Sequence, residues 1–159
     1  MYLNKKKVIL VISILALVFF FTYKDIKSQD IQITDADTIK INGEKIRFSG
    51  IDAPELKQFC VIENIKNSCG LKAKKILVDK IGNFEITCIR EGKDQYKRTL
   101  AECFVNDESL SRYLVKRGYA FAYRKYSDKF IKDEDYARLK KVGMWSMKFE
   151  YPWDFRRSN

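Results

Sequence analysis

Histidine is absent from all 159 residues. Its absence removes the commonest general base and any histidine-ligated zinc site. The four cysteines, Cys60, Cys69, Cys88 and Cys103, contain no CxxC pair, which argues against a thiolate zinc site. No βαβαβ rhythm runs through the chain, so a doubly wound parallel sheet is not expected. There is no internal repeat, no low-complexity tract and no segment patterned as a DNA-recognition helix. Hydrolytic chemistry in such a chain has few routes besides carboxylates, arginines and a hard cation.

Acid is scarce relative to base: 21 Asp and Glu stand against 31 Lys and Arg, a net charge of +10. Met1 to Lys7 is short and basic. Val8 to Phe21 (VILVISILALVFFF) is then almost unbroken apolar sequence. It is shorter than the roughly 20 residues of a comfortable spanning helix. It suits either a signal-peptide core or a short signal anchor spanning about residues 8–23. No small-x-small cleavage site precedes Asp30, and Phe19, Phe20 and Phe21 stand where small residues would be needed. Both fates stay open for residues 1–27. Lys5, Lys6 and Lys7 favour an inside N-terminus. Residues 28–159 are therefore expected on the periplasmic or extracellular side, anchored to the membrane or secreted. Setting aside residues 1–27 removes five lysines and one aspartate, leaving 26 basic against 20 acidic residues and a net +6. That balance favours polyanions such as nucleic acid, or an anionic membrane surface.

All four cysteines fall in the part expected to be exported, where disulfides persist. Three full pairings are possible. Cys60 and Cys69 flank a short polar stretch, and Cys88 and Cys103 sit in two strand candidates joined by a polar connection. The favoured pairs are Cys60–Cys69 and Cys88–Cys103; four reduced, buried cysteines are the alternative.

Alternation marks strands at Ile31–Thr34 and Thr38–Ile41, and Asn42-Gly43 is a hairpin turn. The returning strand, Lys45–Ser49, puts Ile46 and Phe48 on one face and Arg47 on the other. Ser68–Lys80 has the spacing of a helix, with Leu71, Ala73, Ile76 and Leu77 on its apolar side. Strands are expected at Phe84–Arg90 and Arg98–Val105. A helix capped by Asn106 or Asp107 should run to Arg117. A last helix over 128–142 should turn Ile131, Tyr136, Leu139 and Val142 inward. The aromatic tail, from Met144 and Trp145 to Trp153 and Phe155, should pack back on the domain. The element order fits a small, closed barrel of five strands with three helices, preceded by the N-terminal hydrophobic helix.

Within this order, Asp37 to Glu55 is the densest chemistry. Asp37 and Asp52 end strands, Arg47 lies inside one, and Glu55 follows Pro54. Two carboxylates with room for water suit a hard cation, and arginine presents a planar fork to phosphate. Each residue alone has an ordinary explanation as a turn acid or a solvated strand arginine.

Taken together, DADT (35–38), RFSGIDAPE (47–55), DQYKRTLA (94–101), GYA (118–120), GMW (143–145) and the closing PW-x-x-R resemble the staphylococcal-nuclease-like (thermonuclease) family. The four cysteines resemble an exported subgroup of it. The likeness covers roughly Ile31 to Phe149. It implies an OB-type barrel with three helices. It implies Ca2+ on Asp37, Asp52 and the carbonyl of Ala53. It implies Arg47 and Arg98 on the scissile phosphate, and Glu55 activating water. Tyr96, Tyr123 and Tyr126 would line the nucleotide pocket. Ala36 and Ala53 depart from the glycine and threonine common at those positions, and Lys97 from a glycine. The implied activity is non-specific, calcium-dependent endonucleolytic cleavage of DNA and RNA, leaving 3′-phosphate ends, by a monomer. A catalytically silent OB-type nucleic-acid-binding module is the alternative. A basic adaptor at a membrane surface is a more distant one.

Overall fold

A computed structural model describes residues 28–159. The expected hydrophobic helix, signal or anchor over 1–27 lies outside the described residues. The first hairpin follows from its turn. Asn42 and Gly43 both take positive φ, +51° and +84°, the geometry that matches the right-handed twist of the flanking strands. That turn joins β2 (Thr38–Ile41) to β3 (Glu44–Phe48), and β1 (Ile31–Ile33) pairs with β2 on its far side. Ile46 and Phe48 are buried in the core, as the alternation requires.

Beyond β3 come β4 (Ile51–Asp52), β5 (Phe59–Ile62) and β6 (Ile65–Ser68), then α1 (Cys69–Ile81). β7 (Thr87–Lys93) and β8 (Thr99–Val105) form the next hairpin. β9 (Glu108–Ser109), α2 (Leu110–Lys116), β10 (Phe121–Ala122) and α3 (Ile131–Leu139) follow. A 3-10 turn (Gly143–Ser146) and α4 (Pro152–Ser158) close the chain.

The main sheet runs β1-β2-β3-β8-β7, with β9 on β8 and β3 parallel to β8. It is not the closed five-stranded barrel that was expected. The chain leaves β3 through Ser49-Gly50, and β4 then pairs with β10 instead of sealing the main sheet. β5 and β6 form a separate hairpin, turning on Glu63 and Asn64 at positive φ. Four α-helices, not three, stand among the described residues.

Other expectations shift in register. The strand expected at Phe84–Arg90 begins at Thr87 and bulges between Arg90 and Gly92. Asn106 and Asp107 do not cap α2. Both adopt positive φ in the β8–β9 turn, and the Ser109 side chain caps instead by accepting from the Arg112 N–H. α3 is shorter than expected, and Tyr136 and Leu139 face outward, while Glu134 and Ala137 are buried. The reason is polar: the Glu134 carboxylate accepts from the Ala122 N–H at 2.9 Å and pairs with Arg124. Leu71 likewise ends up exposed on α1.

Two cores result. Ile39, Ile46, Phe48, Leu77, Leu114 and Phe130 belong to the larger one. Phe121, Met144, Trp145, Phe149 and Tyr151 form an aromatic cluster around the Cys60–Cys69 disulfide. The tail does pack back as expected. Backbone hydrogen bonds between Val61 and Lys148 and a Gln58 side-chain bond to the Glu150 carbonyl fasten it to β5 and the preceding loop.

Candidate active site

Asp37 sits just before β2, where its N–H donates to the Asp35 carboxylate at 3.1 Å. Asp52 ends β4. Both are buried, Asp37 at 4% exposure and Asp52 at 0%. Arg47 reaches out of β3 between them, donating to Asp37 Oδ1 at 2.5 Å and to Asp52 Oδ1 at 2.7 Å. The other Asp37 oxygen accepts from the Ala53 N–H at 2.8 Å, and the Thr38 hydroxyl donates to Oδ1. Burial pushes the Asp37 carboxyl up to about 6, although the Arg47 charge pulls the other way; nearby Asp35 adds to the rise. Arg47 loses hydration on burial, yet the two carboxylates outweigh that loss and hold its proton more firmly.

Glu55 lies in the loop after Pro54, half-exposed, with its N–H donating to Gln58 Oε1. The loop is set from behind by α1. A Cβ on Gly70 would stand 1.8 Å from the Glu55 carbonyl oxygen, so only glycine allows this approach. The Cys60–Cys69 bond ties β5, which follows that loop, to the start of α1.

The cluster has one further member, on the last helix. Arg156, on α4, donates from Nη1 to Asp52 Oδ1 at 3.1 Å and to Glu55 Oε1 at 2.8 Å, and from Nη2 to Asp52 Oδ2 at 2.6 Å. It thereby bridges the two acids. Its burial opposes the charge, but the hydrogen bonds to Asp52 and Glu55 raise its pKa further. The only sequence signal was the closing PW-x-x-R, which ends on this residue.

Asp37, Arg47, Asp52, Ala53 and Glu55 are thus brought together as the sequence suggested. Among the described residues no hydrogen bond or ion pair joins Arg98 to them. Arg98 precedes β8 and is held by Asp94, whose Oδ2 accepts from Nε at 2.6 Å and whose Oδ1 accepts the N–H groups of Tyr96 and Arg98. The parallel β3–β8 register sets Thr99 beside Ile46, so Arg98 enters from the strand next to Arg47. Tyr96 is exposed, its ring 5.5 Å from the Arg98 guanidinium. Tyr123 and Tyr126 meet edge to face at 4.8 Å, and the Tyr123 N–H donates to Gly50 just before β4. Cys88–Cys103 joins β7 to β8, completing the two favoured disulfides.

Among the described residues no three His, Cys, Asp or Glu side chains gather as a cation cage. The donor set that is present, two buried carboxylates with backbone oxygens nearby, is all oxygen. It fits a hard divalent ion that keeps several waters, not a structural cage. Two arginine forks, two buried acids and one solvent-reaching acid are together suited to a phosphodiester.

Residues 45–147 match the family model described as staphylococcal nuclease homologue. A protein of Haemophilus influenzae described as an uncharacterized endonuclease is 32% identical over 123 residues, 73% of this chain and 64% of that relative. The endonuclease YncB of Bacillus subtilis is 33% identical over 130 residues, 70% of this chain and 58% of the relative. Protein ParB of Escherichia coli is 28% identical over 155 residues, 86% and 82% of the two chains. This chain therefore spans less than two thirds of the Haemophilus and Bacillus relatives it matches.

Proposed function

This chain belongs to the family of staphylococcal nuclease homologues, and we propose that it is a calcium-dependent, sequence-non-specific endonuclease of DNA and RNA. The observation that carries this is the joined cluster Asp37–Arg47–Asp52 with Glu55 beside it. Asp37, Asp52 and the Ala53 carbonyl would hold Ca2+, which supplies charge relief and orientation to the phosphate when bound. Arg47 uses two of its five N–H groups on the aspartates, so others remain for a non-bridging phosphate oxygen. Arg98, poised on Asp94, supplies the second fork from the neighbouring strand. Glu55 accepts the proton of the attacking water. The water oxygen bonds to phosphorus, the bond to the 5′ oxygen breaks, and that oxygen takes a proton from solvent. The products are a 3′-phosphate and a 5′-hydroxyl. Tyr96, Tyr123 and Tyr126 offer faces to bases without reading sequence.

Cleavage of DNA and RNA by the purified chain, with calcium and with chelator, tests this. Glu55→Gln should bind substrate and lose most turnover. Near-normal cleavage by that variant would remove Glu55 from the mechanism. Binding without calcium-dependent cleavage would leave a silent nucleic-acid-binding module instead.

We further propose that the chain works as a monomer outside the cytoplasm, anchored by residues 1–27 or released from them. The two disulfides support an oxidising compartment. Among the described residues no helix is long and apolar enough to cross a membrane, so the proposal rests on Val8–Phe21. Protease digestion of cells whose outer envelope has been permeabilised should remove an anchored domain; protection until the cytoplasmic membrane is lysed would refute this placement.

A further inference from the structure

The proposed mechanism stops at Arg47 and Arg98 and leaves the rest of their sheet face unused. Side chains alternate along a strand, so Lys45 shares the outer face of β3 with Arg47, about 7 Å behind it. The antiparallel register sets Lys40 of β2 directly opposite Lys45, as it sets Thr38 opposite Arg47. On the other side, the parallel register sets Leu100 beside Arg47. Two residues back from Leu100 is Arg98, beside Lys45. Lys40, Lys45 and Arg98 therefore form a row across β2, β3 and the entry to β8, with each step about 5 Å.

The row is wholly cationic, and no acid offsets its two lysines. Like charges directly opposite one another weaken a strand pair. Glu44 precedes Lys45, but it stands on the other face of β3 and is committed to Arg90 and the Thr99 hydroxyl. Asp94 holds Arg98, and Asp37 and Asp52 hold Arg47. Gln32, opposite Lys40 on β1, is neutral and donates to Asp30. Among the described residues no ion pair reaches Lys40 or Lys45, and both side chains are exposed. Folding alone gives no reason for this pair, whereas a polyanion lying on the face does.

Continuity with the reaction centre selects the polyanion. Arg47 touches both buried acids, and Lys45 stands behind it on the same strand. Resting on the nuclease function proposed above, we infer that Lys40 and Lys45 form a phosphate-binding track. It holds the backbone of single-stranded DNA or RNA flanking the scissile bond. Arg47 and Arg98 grip the reacting phosphate, and the long lysine stems reach the phosphates next to it. The track touches backbone alone, so it adds affinity and a preference for longer substrates without reading sequence. It is separate from Tyr123 and Tyr126, which follow β10.

Lys40→Gln/Lys45→Gln in the full chain tests this, since both side chains are exposed and lie outside the cores. Lys66→Gln/Lys140→Gln, exposed on β6 and just after α3, measures the effect of net charge alone. Two substrates are compared: a single-stranded dodecanucleotide and a nitrophenyl ester of a single nucleotide, which has no flanking phosphates. The track variant should lower the ratio of kcat/KM for dodecamer over ester about tenfold, mostly through KM, and the control pair should not. In chelator, fluorescence anisotropy of labelled oligothymidylate should show weaker binding by the track variant. Its salt slope should be shallower by about 1.4, the release expected for two single-strand phosphate contacts. Its Tm should be no lower than that of wild type, because a like-charge pair has been removed. An unchanged ratio and slope, equal losses in the control pair, or a fall in Tm with unchanged binding would overturn the track. So would lost binding to phosphatidylglycerol vesicles with oligothymidylate binding intact, the mark of a membrane-facing surface. If wild type binds oligothymidylate with this slope difference yet cleaves neither substrate, the track stands and the nuclease function falls.

Discussion

At the scale of single residues, the site depends on how buried acids are shared among cations. Asp52 has no exposure and accepts from Arg47 and Arg156 together, so neither oxygen is left without a donor. An unpaired carboxylate there would be costly. Arg47 and Arg98 are both expected to act where charge grows in the transition state. Replacing either by alanine should lose about 3–4 kcal/mol of that stabilisation, read as a hundredfold to thousandfold fall in kcat. Arg47→Ala should also destabilise the fold, because it leaves buried Asp37 without its cation and Asp52 with Arg156 alone, while Arg98→Ala leaves Asp94 still accepting two backbone N–H groups. Thermal unfolding of the two variants distinguishes them. Asp37 carries a pH consequence. Its folded pKa, near 6, lies above the ordinary aspartate value of 3.8. Without a cation, its contribution to stability is full below about pH 4 and is lost as pH rises through 6. A calcium ion bound there as proposed would displace that proton, so its affinity should weaken as pH falls below about 6 and level off above it. Calorimetric titration with calcium from pH 5 to pH 8 checks this; a flat affinity would contradict it.

At the scale of elements, the Glu55 loop is a product of its neighbours more than of its own sequence. α1 presses Gly70 against it, Gln58 accepts its Glu55 N–H, β5 carries Cys60 away from it, and Cys69 closes the ring back to Cys60. Replacing both cysteines by serine should cost about 2–4 kcal/mol in stability, by denaturant unfolding. Activity should fall more steeply with temperature than in wild type, because the loop loosens before the main sheet melts. The strands around β2 and β3 were legible because alternation and Asn42-Gly43 are local signals. The β5–β6 hairpin was not. Its residues are almost all exposed or half-exposed, and its turn rests on non-glycine Glu63 and Asn64 at positive φ. α3 was found as a helix but with the wrong face inward. Apolar spacing pointed to Tyr136 and Leu139, whereas the Glu134 carboxylate is buried to serve the Ala122 N–H. Binary patterning has no means to expect a buried acid.

At the scale of the whole molecule, the C-terminal tail and the Glu55 loop are one assembly. The Val61–Lys148 pairing, the Gln58 bond to Glu150 and the aromatic cluster carry α4 to the reaction centre. Arg156 then spans more than a hundred positions of sequence to reach Asp52 and Glu55. We expect it to act as a positioning residue for Glu55. Arg156→Gln should lower kcat about tenfold to a hundredfold with little change in KM, because a small misplacement of a catalytic group is enough. Its stability loss should be smaller than that of Arg47→Ala, since Arg156 is 39% exposed and Arg47 only 15%. Equal losses of stability and no change in kcat would show a purely structural residue.

The sequence by itself determined the chemistry available: no histidine, acids at 37, 52 and 55, and arginines at 47 and 98. It determined the local turns and favoured the cysteine pairs, because these depend on nearest neighbours and short spacings. Tertiary structure alone decided that the main sheet stays open. It set Arg98 on Asp94 and brought Arg156 across the molecule to bridge Asp52 and Glu55. Those outcomes are settled by long-range packing and by the need to pair buried charge, and neither leaves a period in the sequence.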